Sequence, residues 1–153
     1  MTVHYAGTPE ALQALDAYVK LSRAVNALEA RLAEHHAYGD LTASQFGVLE
    51  ALYHLGPLCQ GELSTKLLKS GGNLTFVVDN LVRLGLVQRE RDTGDRRRVM
   101  VTLTEAGREH IAQLFPLHVQ DIVAEFSVLS PEEQATLASL CRKLGKAGQQ
   151  EAF

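Results

Sequence analysis

Five arginines crowd the stretch from Val87 to Gly107, whose pattern is that of two short strands around a charged, glycine-containing tip. They are Arg89, Arg91, Arg96, Arg97 and Arg98, with Asp92, Gly94 and Asp95 among them. The chain as a whole carries a formal net charge of −3, so this local cationic projection calls for an anionic partner. Nucleic-acid phosphate is the leading candidate, because arginine and lysine contacts to phosphate supply most nonspecific nucleic-acid affinity.

A second polar cluster precedes the hairpin by about twelve residues. Ser70, Gly72, Asn73 and Thr75 lie at the start of a predicted helix. Small residues let the backbone approach phosphate, and helix-start N–H groups attract anions. The side chains of Ser70, Asn73 and Thr75 can hydrogen-bond to base edges or phosphates. Alone this is an ordinary helix start, but together with the arginine-rich hairpin it predicts a DNA-binding surface.

Within the hairpin we expect a division of roles. Asp95 is predicted to hydrogen-bond inside the turn and to orient Arg97 toward DNA. Strand alternation would place Arg96 and Arg98 on one face and Arg97 on the other. Arg96 or Arg98 would then reach a flanking phosphate. The alternative is a solvated hairpin with surface ion pairs of little energetic value.

Two cysteines are too few for a disulfide framework, so a reducing cytoplasm is the expected location. Cys59 and Glu62 have the spacing of a capping box, with cysteine where serine or threonine is usual. A helix N-terminus favours the thiolate, which makes Cys59 a candidate redox-sensing residue. The alternative is an inert small residue in a loop. Cys141 lies on an apolar helical face and is predicted to be packing.

Other chemistries find little support in the sequence. His35 and His36 are adjacent, so they would point about 100° apart on a helix, and no metal site is predicted. No nucleophile with a base, phosphate loop or metal-ligand spacing is present, so we expect neither an enzyme nor a cofactor. No apolar run reaches about 18 residues and the first residues do not resemble a signal peptide, so no membrane association is expected.

The elements that must position these residues follow from apolar periodicity and capping signals. The predicted order is four helices, a hairpin and two helices. The first helix is capped by Thr8, the second by the Thr42–Gln45 capping box, and the last by Ser130. Gly85 should stop the fourth helix, and the fifth has a potential bend at Pro116. The predicted ranges are about 9–36, 43–55, 60–67, 73–84, 86–103 for the hairpin, a fifth helix from 104, and a sixth from 131.

This order predicts a mainly α fold with a small β-hairpin wing, that is, a winged helix-turn-helix with six helices. The chain is expected to form a single domain over residues 1–153, with the DNA-binding region at 41–103. In this arrangement the fourth helix enters the major groove. The wing tip can place an arginine in the adjacent minor groove.

The stretch from Asp95 to Gly107 (DRRRVMVTLTEAG) resembles the D-x-R and V-x-L-T-x-x-G signature of the MarR family of regulators. The resemblance covers about residues 10–146. It implies a homodimer formed by helices at 8–37 and 104–147, and repression of a pseudo-palindromic operator. Asp95 and Arg97 fall on the family's wing motif, and Ser70, Asn73 and Thr75 on its recognition-helix start. The segments 53–57 and 67–81 are most similar to quinone- and phenol-responsive members.

The resemblance also implies release of DNA by a small aromatic ligand or by a thiol-reactive oxidant or quinone. It places a ligand pocket between the dimer region and the DNA-binding region. Candidate lining residues are Tyr18, Arg23, His36, Phe46 and Tyr53, with His54 as an alternative to Tyr53. Arg23 would suit an anionic aromatic ligand, or it is simply a surface charge. The family's peroxide sensors carry their reactive cysteine in the first helix, where this chain has none.

The apolar content of the first and last helices agrees with dimerisation, because it exceeds what a small DNA-binding region can bury. A homodimer would present two recognition helices to half-sites about one DNA turn apart. The alternative function is a winged-helix protein–protein interaction module without sequence-specific DNA binding. Such a module would not need small residues at the helix start or three consecutive arginines in the wing.

Overall fold

The computed structural model describes residues 5–35, 38–67 and 71–147. Over these residues the chain forms six helices and a small antiparallel sheet, as the sequence predicted. The helices are α1 (Pro9–Glu34), α2 (Ala43–Leu55), α3 (Gln60–Leu67), α4 (Gly71–Arg83), α5 (Glu105–Phe126) and α6 (Pro131–Lys146). The strands are β1 (Leu58–Cys59), β2 (Val87–Arg91) and β3 (Val99–Leu103).

The helix starts are fixed by side-chain caps that the sequence predicted. Thr42 and Gln45 form a complete capping box at α2, and Ser130 and Glu133 form another at α6. The hydroxyl of Thr8 accepts from the backbone N–H of Ala11 and begins α1. Each cap satisfies N–H groups that have no partner within the helix, which sets where the helix begins.

The sheet contains one strand more than predicted. β3 lies between β2 and β1, and Leu58 and Cys59 of β1 pair with Val101 and Met100 of β3. Two residues are too short to show strand periodicity, so the sequence indicated Cys59 only as a helix-capping residue, or alternatively as a loop residue. This pairing attaches Cys59, the residue that precedes α3, directly to β3.

The end of α1 and the start of α4 differ from their predicted positions, and Pro116 does not interrupt α5. α1 ends at Glu34, and His36 lies outside the described residues. α4 begins at Gly71, two residues before its predicted start, so the Gly71–Gly72 pair belongs to the helix. Glycine is a poor helix former, which is why the sequence indicated a later start. α5 continues through Pro116 to Phe126.

The core is formed by residues 41–103 and the first half of α5. Its largest fully buried side chains come from α2, α3, α4, β2, β3 and α5: Phe46, Val48, Leu49, Leu52, Leu63, Leu74, Val78, Leu81, Val87, Val101 and Ile111. Leu32 is the buried residue of α1, and α6 buries none. The predicted apolar stripes of α1 and α6 therefore remain open in a single chain.

None of the helices in the described ranges is long and apolar enough to cross a membrane.

Candidate nucleic-acid interface

α4 presents its polar start outward and its apolar side to the core. Leu74 and Val78 are buried, whereas Asn73 and Thr75 are exposed. This arrangement follows from helical periodicity, since residues 74, 77, 78 and 81 share one face. Leu84, the last residue of the predicted helix, follows α4 in the structure and is exposed. Gly72 lies in the first turn of α4, and Ser70, also predicted to contact DNA, lies outside the described residues.

Side-chain contacts hold α4 against its neighbours. The Gln60 side-chain amide at the start of α3 donates to the hydroxyl of Thr75. One helical turn further along α4, Asp79 forms a 2.6 Å ion pair with Arg89 of β2. Sequence reasoning counted Arg89 with the cationic wing arginines, but in the structure it links the wing to α4. Because Thr75 already bonds within the protein, its predicted contact with DNA would have to use its remaining hydrogen-bonding capacity.

The wing comprises residues 87–103, that is, β2, β3 and the turn between them. Among the wing arginines that form ion pairs, Arg97 is the most exposed, with 93% of its side chain accessible to solvent. Asp95 Oδ1 accepts from the backbone N–H of Arg97 at 3.0 Å and from its Nε at 3.3 Å. The predicted contact between Asp95 and Arg97 is therefore present. It leaves the terminal guanidinium nitrogens of Arg97 for a further partner.

Arg96, Arg97 and Arg98 lie in the turn between β2 and β3, not on a strand. The predicted alternation of their faces is therefore wrong, because a period of two requires extended, paired backbone. The turn is closed by two backbone bonds of 3.0 Å, from Arg98 N to Asp95 O and from Asp92 N to Arg98 O.

Arg98 turns back toward α3. Its Nη2 donates to Glu62 Oε1 at 3.1 Å and lies 3.5 Å from Cys59 Sγ. The backbone N–H of Cys59 donates to Glu62 Oε2 at 2.8 Å, which is one half of the predicted capping box. That hydrogen bond and the nearby guanidinium lower the pKa of Glu62. The thiol therefore lies between the wing and the start of α3, within a charged contact that the sequence did not reveal.

The family-type signature at the end of the wing has a structural explanation. Gly85 has φ 71° and ends α4, with bonds from Gly85 N to Val82 O and from Leu86 N to Leu81 O. Thr104 Oγ1 donates to Gly85 O at 2.6 Å, which joins the end of the wing to this turn. A Cβ on Gly107 would lie 1.9 Å from Leu86 O, so only glycine permits this approach.

Two of the residues predicted to form one ligand pocket, Phe46 and Tyr18, line different cavities. Phe46 lines a cleft with Tyr38, Glu50 and His118. Tyr18 instead lines an apolar groove between α1 and α6. The ring of Tyr53 contacts that of His54 at a centroid distance of 5.1 Å. Arg23 lines neither cavity, and it has interactions of its own. His36 lies outside the described residues.

The cleft at Phe46 has a volume of about 310 Å³. His118 of α5 is buried against it, with ring centroids 4.5 Å from Phe46 and 5.5 Å from Tyr38. Its Nδ1 has no hydrogen-bond partner within the described residues. Burial lowers the pKa of His118, although Glu50 and Asp121 act in the opposite sense.

Burial also raises the pKa of Tyr38, and the carboxylates of Glu29 and Glu50 add to that shift. Sequence reasoning missed Tyr38, Glu50 and His118 as cavity residues. The spacing of His118 from Ile111, Leu114 and Phe115 was the available signal, since it places the imidazole on the inward face of α5.

The groove between α1 and α6 is almost entirely apolar. It is lined by Ala14, Ala17, Tyr18, Leu21, Leu137, Leu140, Cys141 and Leu144. Tyr18, Leu140 and Leu144 are each more than half exposed. Continuous apolar surface of this kind marks an interaction surface.

The chain was compared with known protein families, curated proteins and solved structures. Residues 39–98 match the model described as the MarR family. The chain is 34% identical to the uncharacterized HTH-type transcriptional regulator YkoM of Bacillus subtilis, over 94% of each chain. It is similar to a cysteine-to-serine mutant of Escherichia coli MarR in complex with operator DNA, with a TM-score of 0.77 and 29% identity over 86% of this chain and 95% of that one.

A similar likeness holds for BpsR of Bordetella bronchiseptica, whose DNA binding is regulated by 6-hydroxynicotinic acid. The TM-score is 0.77 at 28% identity, over 85% of this chain and 98% of that one. These likenesses extend well beyond the DNA-binding region. The exposed polar start of α4, the arginine-bearing wing and these relatives agree: the chain belongs to the MarR family of DNA-binding transcriptional regulators.

Proposed function

We propose that the protein is a homodimeric repressor that binds a pseudo-palindromic operator and is released by a small aromatic ligand or a thiol-reactive quinone or oxidant. The observation that carries this proposal is the wing, whose Arg97 is held by Asp95 with its guanidinium exposed. Arg89 and Asp79 connect that wing to α4. A helix start and an arginine-bearing wing joined in this way suit adjacent major and minor grooves.

The α1–α6 groove supports the dimer. Its apolar side chains would lose water in contact with a second copy, and burial of each large one stabilises by about 1.5–3 kcal/mol. A two-fold arrangement would also place two α4 helices on one face of the DNA, as a pseudo-palindrome requires. Cys141 would then be an ordinary packing residue of that interface.

For the effector, the cleft at Phe46 supports a neutral hydroxylated aromatic ligand. Aromatic rings form its walls, and the carboxylate of Glu50 can accept a hydrogen bond from a phenol. The unpartnered Nδ1 of His118 offers a second polar contact. The acidic lining disfavours the anionic ligand that Arg23 suggested, because like charges repel in a partly buried site. Regulation of BpsR by 6-hydroxynicotinic acid is a precedent within the fold for control by a small hydroxylated aromatic compound, but that compound carries the carboxylate that this cleft disfavours.

The test is a gel-shift assay on the DNA that flanks this protein's own gene, with and without a phenol and with and without a quinone. We expect a discrete complex that one of the two effectors dissolves. Release by the phenol that is lost in Glu50→Gln supports the cleft. Release by the quinone that is lost in Cys59→Ser supports thiol chemistry. Absence of any complex at every salt concentration would contradict an autoregulated repressor.

A further inference from the structure

Phe76 stands out on the DNA-facing side of α4. It is 64% exposed, although it lies in a helix whose other side is packed into the core. It is one residue from Thr75 and three from Asn73, so it occupies the outer surface of the same helical turns.

The polar side chains around Phe76 are engaged within the protein. Asp79 binds Arg89 at 2.6 Å, and Asn80 Oδ1 accepts from Arg83 Nη2 at 2.7 Å. Thr75 accepts from Gln60. The largest exposed side chain of this part of α4 is therefore the aromatic ring of Phe76, which can recognise a partner through apolar contact.

The major groove offers one apolar feature to such a ring. Thymine carries a C5-methyl group at the groove edge, whereas the other bases present hydrogen-bonding groups there. Phenylalanine contacts this methyl group in protein–DNA interfaces. Hydrogen bonds to base edges cannot be made by the ring, so it would distinguish thymine from uracil by the methyl group alone.

We propose that Phe76 is a specificity-determining residue that selects thymine at one position of each operator half-site through contact with its C5-methyl group. The inference rests on the proposed binding of α4 in the major groove of an operator. It adds to the predicted polar contacts of Asn73 and Thr75 an apolar contact that the sequence pattern did not single out.

The experiment replaces each thymine of the footprinted operator, one at a time, by deoxyuridine, which lacks only the methyl group. Affinities are measured for the full-length protein and for Phe76→Ala. Replacing the contacted thymine in one half-site removes one methyl contact and should weaken wild-type binding about fourfold. Replacing the equivalent thymines in both half-sites should weaken it about fifteenfold. Phe76→Ala should bind both DNAs equally.

Val82→Ala is the matched control, because Val82 is a partly exposed apolar residue in the last turn of the same helix. It should keep the full deoxyuridine penalty. The proposal is overturned if wild-type protein binds every deoxyuridine operator as tightly as the parent, or if Phe76→Ala retains the penalty. Either result leaves operator binding intact, whereas failure of wild-type protein to bind the parent operator would overturn the proposed function itself.

Discussion

The guanidinium of Arg98 and the carboxylate of Glu62 join the wing to the start of α3, with Nη2 and Oε1 3.1 Å apart. Cys59 contributes to both sides of this contact through its N–H and its thiol. Both charged side chains are partly exposed, so the pair itself adds little to stability. Its importance is geometric, because a group added to the Cys59 sulfur would need the space that the Arg98 guanidinium fills 3.5 Å away.

We therefore predict that modification of Cys59 by a quinone weakens operator affinity at least tenfold by displacing Arg98 and the attached wing. Cys59→Ser should bind DNA normally and resist release. Cys141→Ser, which removes the other thiol from the α1–α6 groove, is the control and should respond like the wild type. Anisotropy of labelled operator during a quinone titration measures this. Undiminished release from Cys59→Ser would remove Cys59 as the sensor.

A second prediction concerns the α1–α6 groove. Leu140→Asp should weaken self-association at least tenfold, or by about 1.4 kcal/mol, because each interface would then contain unpaired carboxylates. Leu55→Asp changes a similarly exposed leucine at the end of α2, outside this groove, and should not alter association. Sedimentation velocity across a concentration series distinguishes the two. A monomeric wild type, or equal association of both variants, would argue against this interface.

A third prediction follows from buried His118. Its pKa is lowered in the folded protein, so the unfolded chain binds the proton more readily. Stability from the neutral imidazole is complete above the unfolded pKa near 6.5 and is lost as the pH falls from there toward the folded value. Urea unfolding at about pH 7.5 and about pH 5.5, on either side of the unfolded pKa, should show a larger loss for wild type than for His118→Phe. Equal losses would mean that His118 does not contribute to acid sensitivity.

A fourth prediction tests the approach of α5 to the end of α4. Gly107→Ala should destabilise the fold by at least about 2 kcal/mol, because its methyl group would collide with the Leu86 carbonyl. For a chain of this length that lowers Tm by roughly 4–8 °C. Gly94→Ala, whose added Cβ would be 3.9 Å from the nearest atom, should shift Tm little. A near-wild-type Tm for Gly107→Ala would show that the backbone there can move apart.

The sequence predicted those parts of this fold that local signals encode. Local signals include the capping boxes at Thr42 and Ser130 and the helix stop at Gly85. Each involves residues close together in the chain, so it can be recognised without knowing the tertiary structure. The contact of Asp95 with Arg97 is equally local. These are the features for which prediction and structure agree.

Contacts between distant segments were not predictable in the same way. β1 has two residues and exists because β3 pairs with it, and the bond from Arg98 to Glu62 spans 36 positions. The cavity at Phe46 depends on how α5 packs against α2, which placed His118 there and Tyr18 elsewhere. Which side chains from different helices and strands meet is decided by tertiary packing, and local sequence patterns do not predict it.

DNA recognition by the wing is tested most directly by measuring the affinity of the protein for its upstream DNA by fluorescence anisotropy at two salt concentrations. Wild-type affinity should fall steeply with salt, by about a thousandfold between about 50 and 200 mM if about six phosphates are contacted. Arg97→Ala should bind at least tenfold more weakly at the lower salt concentration, while Arg142→Ala, an exposed arginine of α6, should match the wild type. Salt-independent binding, or full affinity in Arg97→Ala, would contradict DNA recognition by the wing.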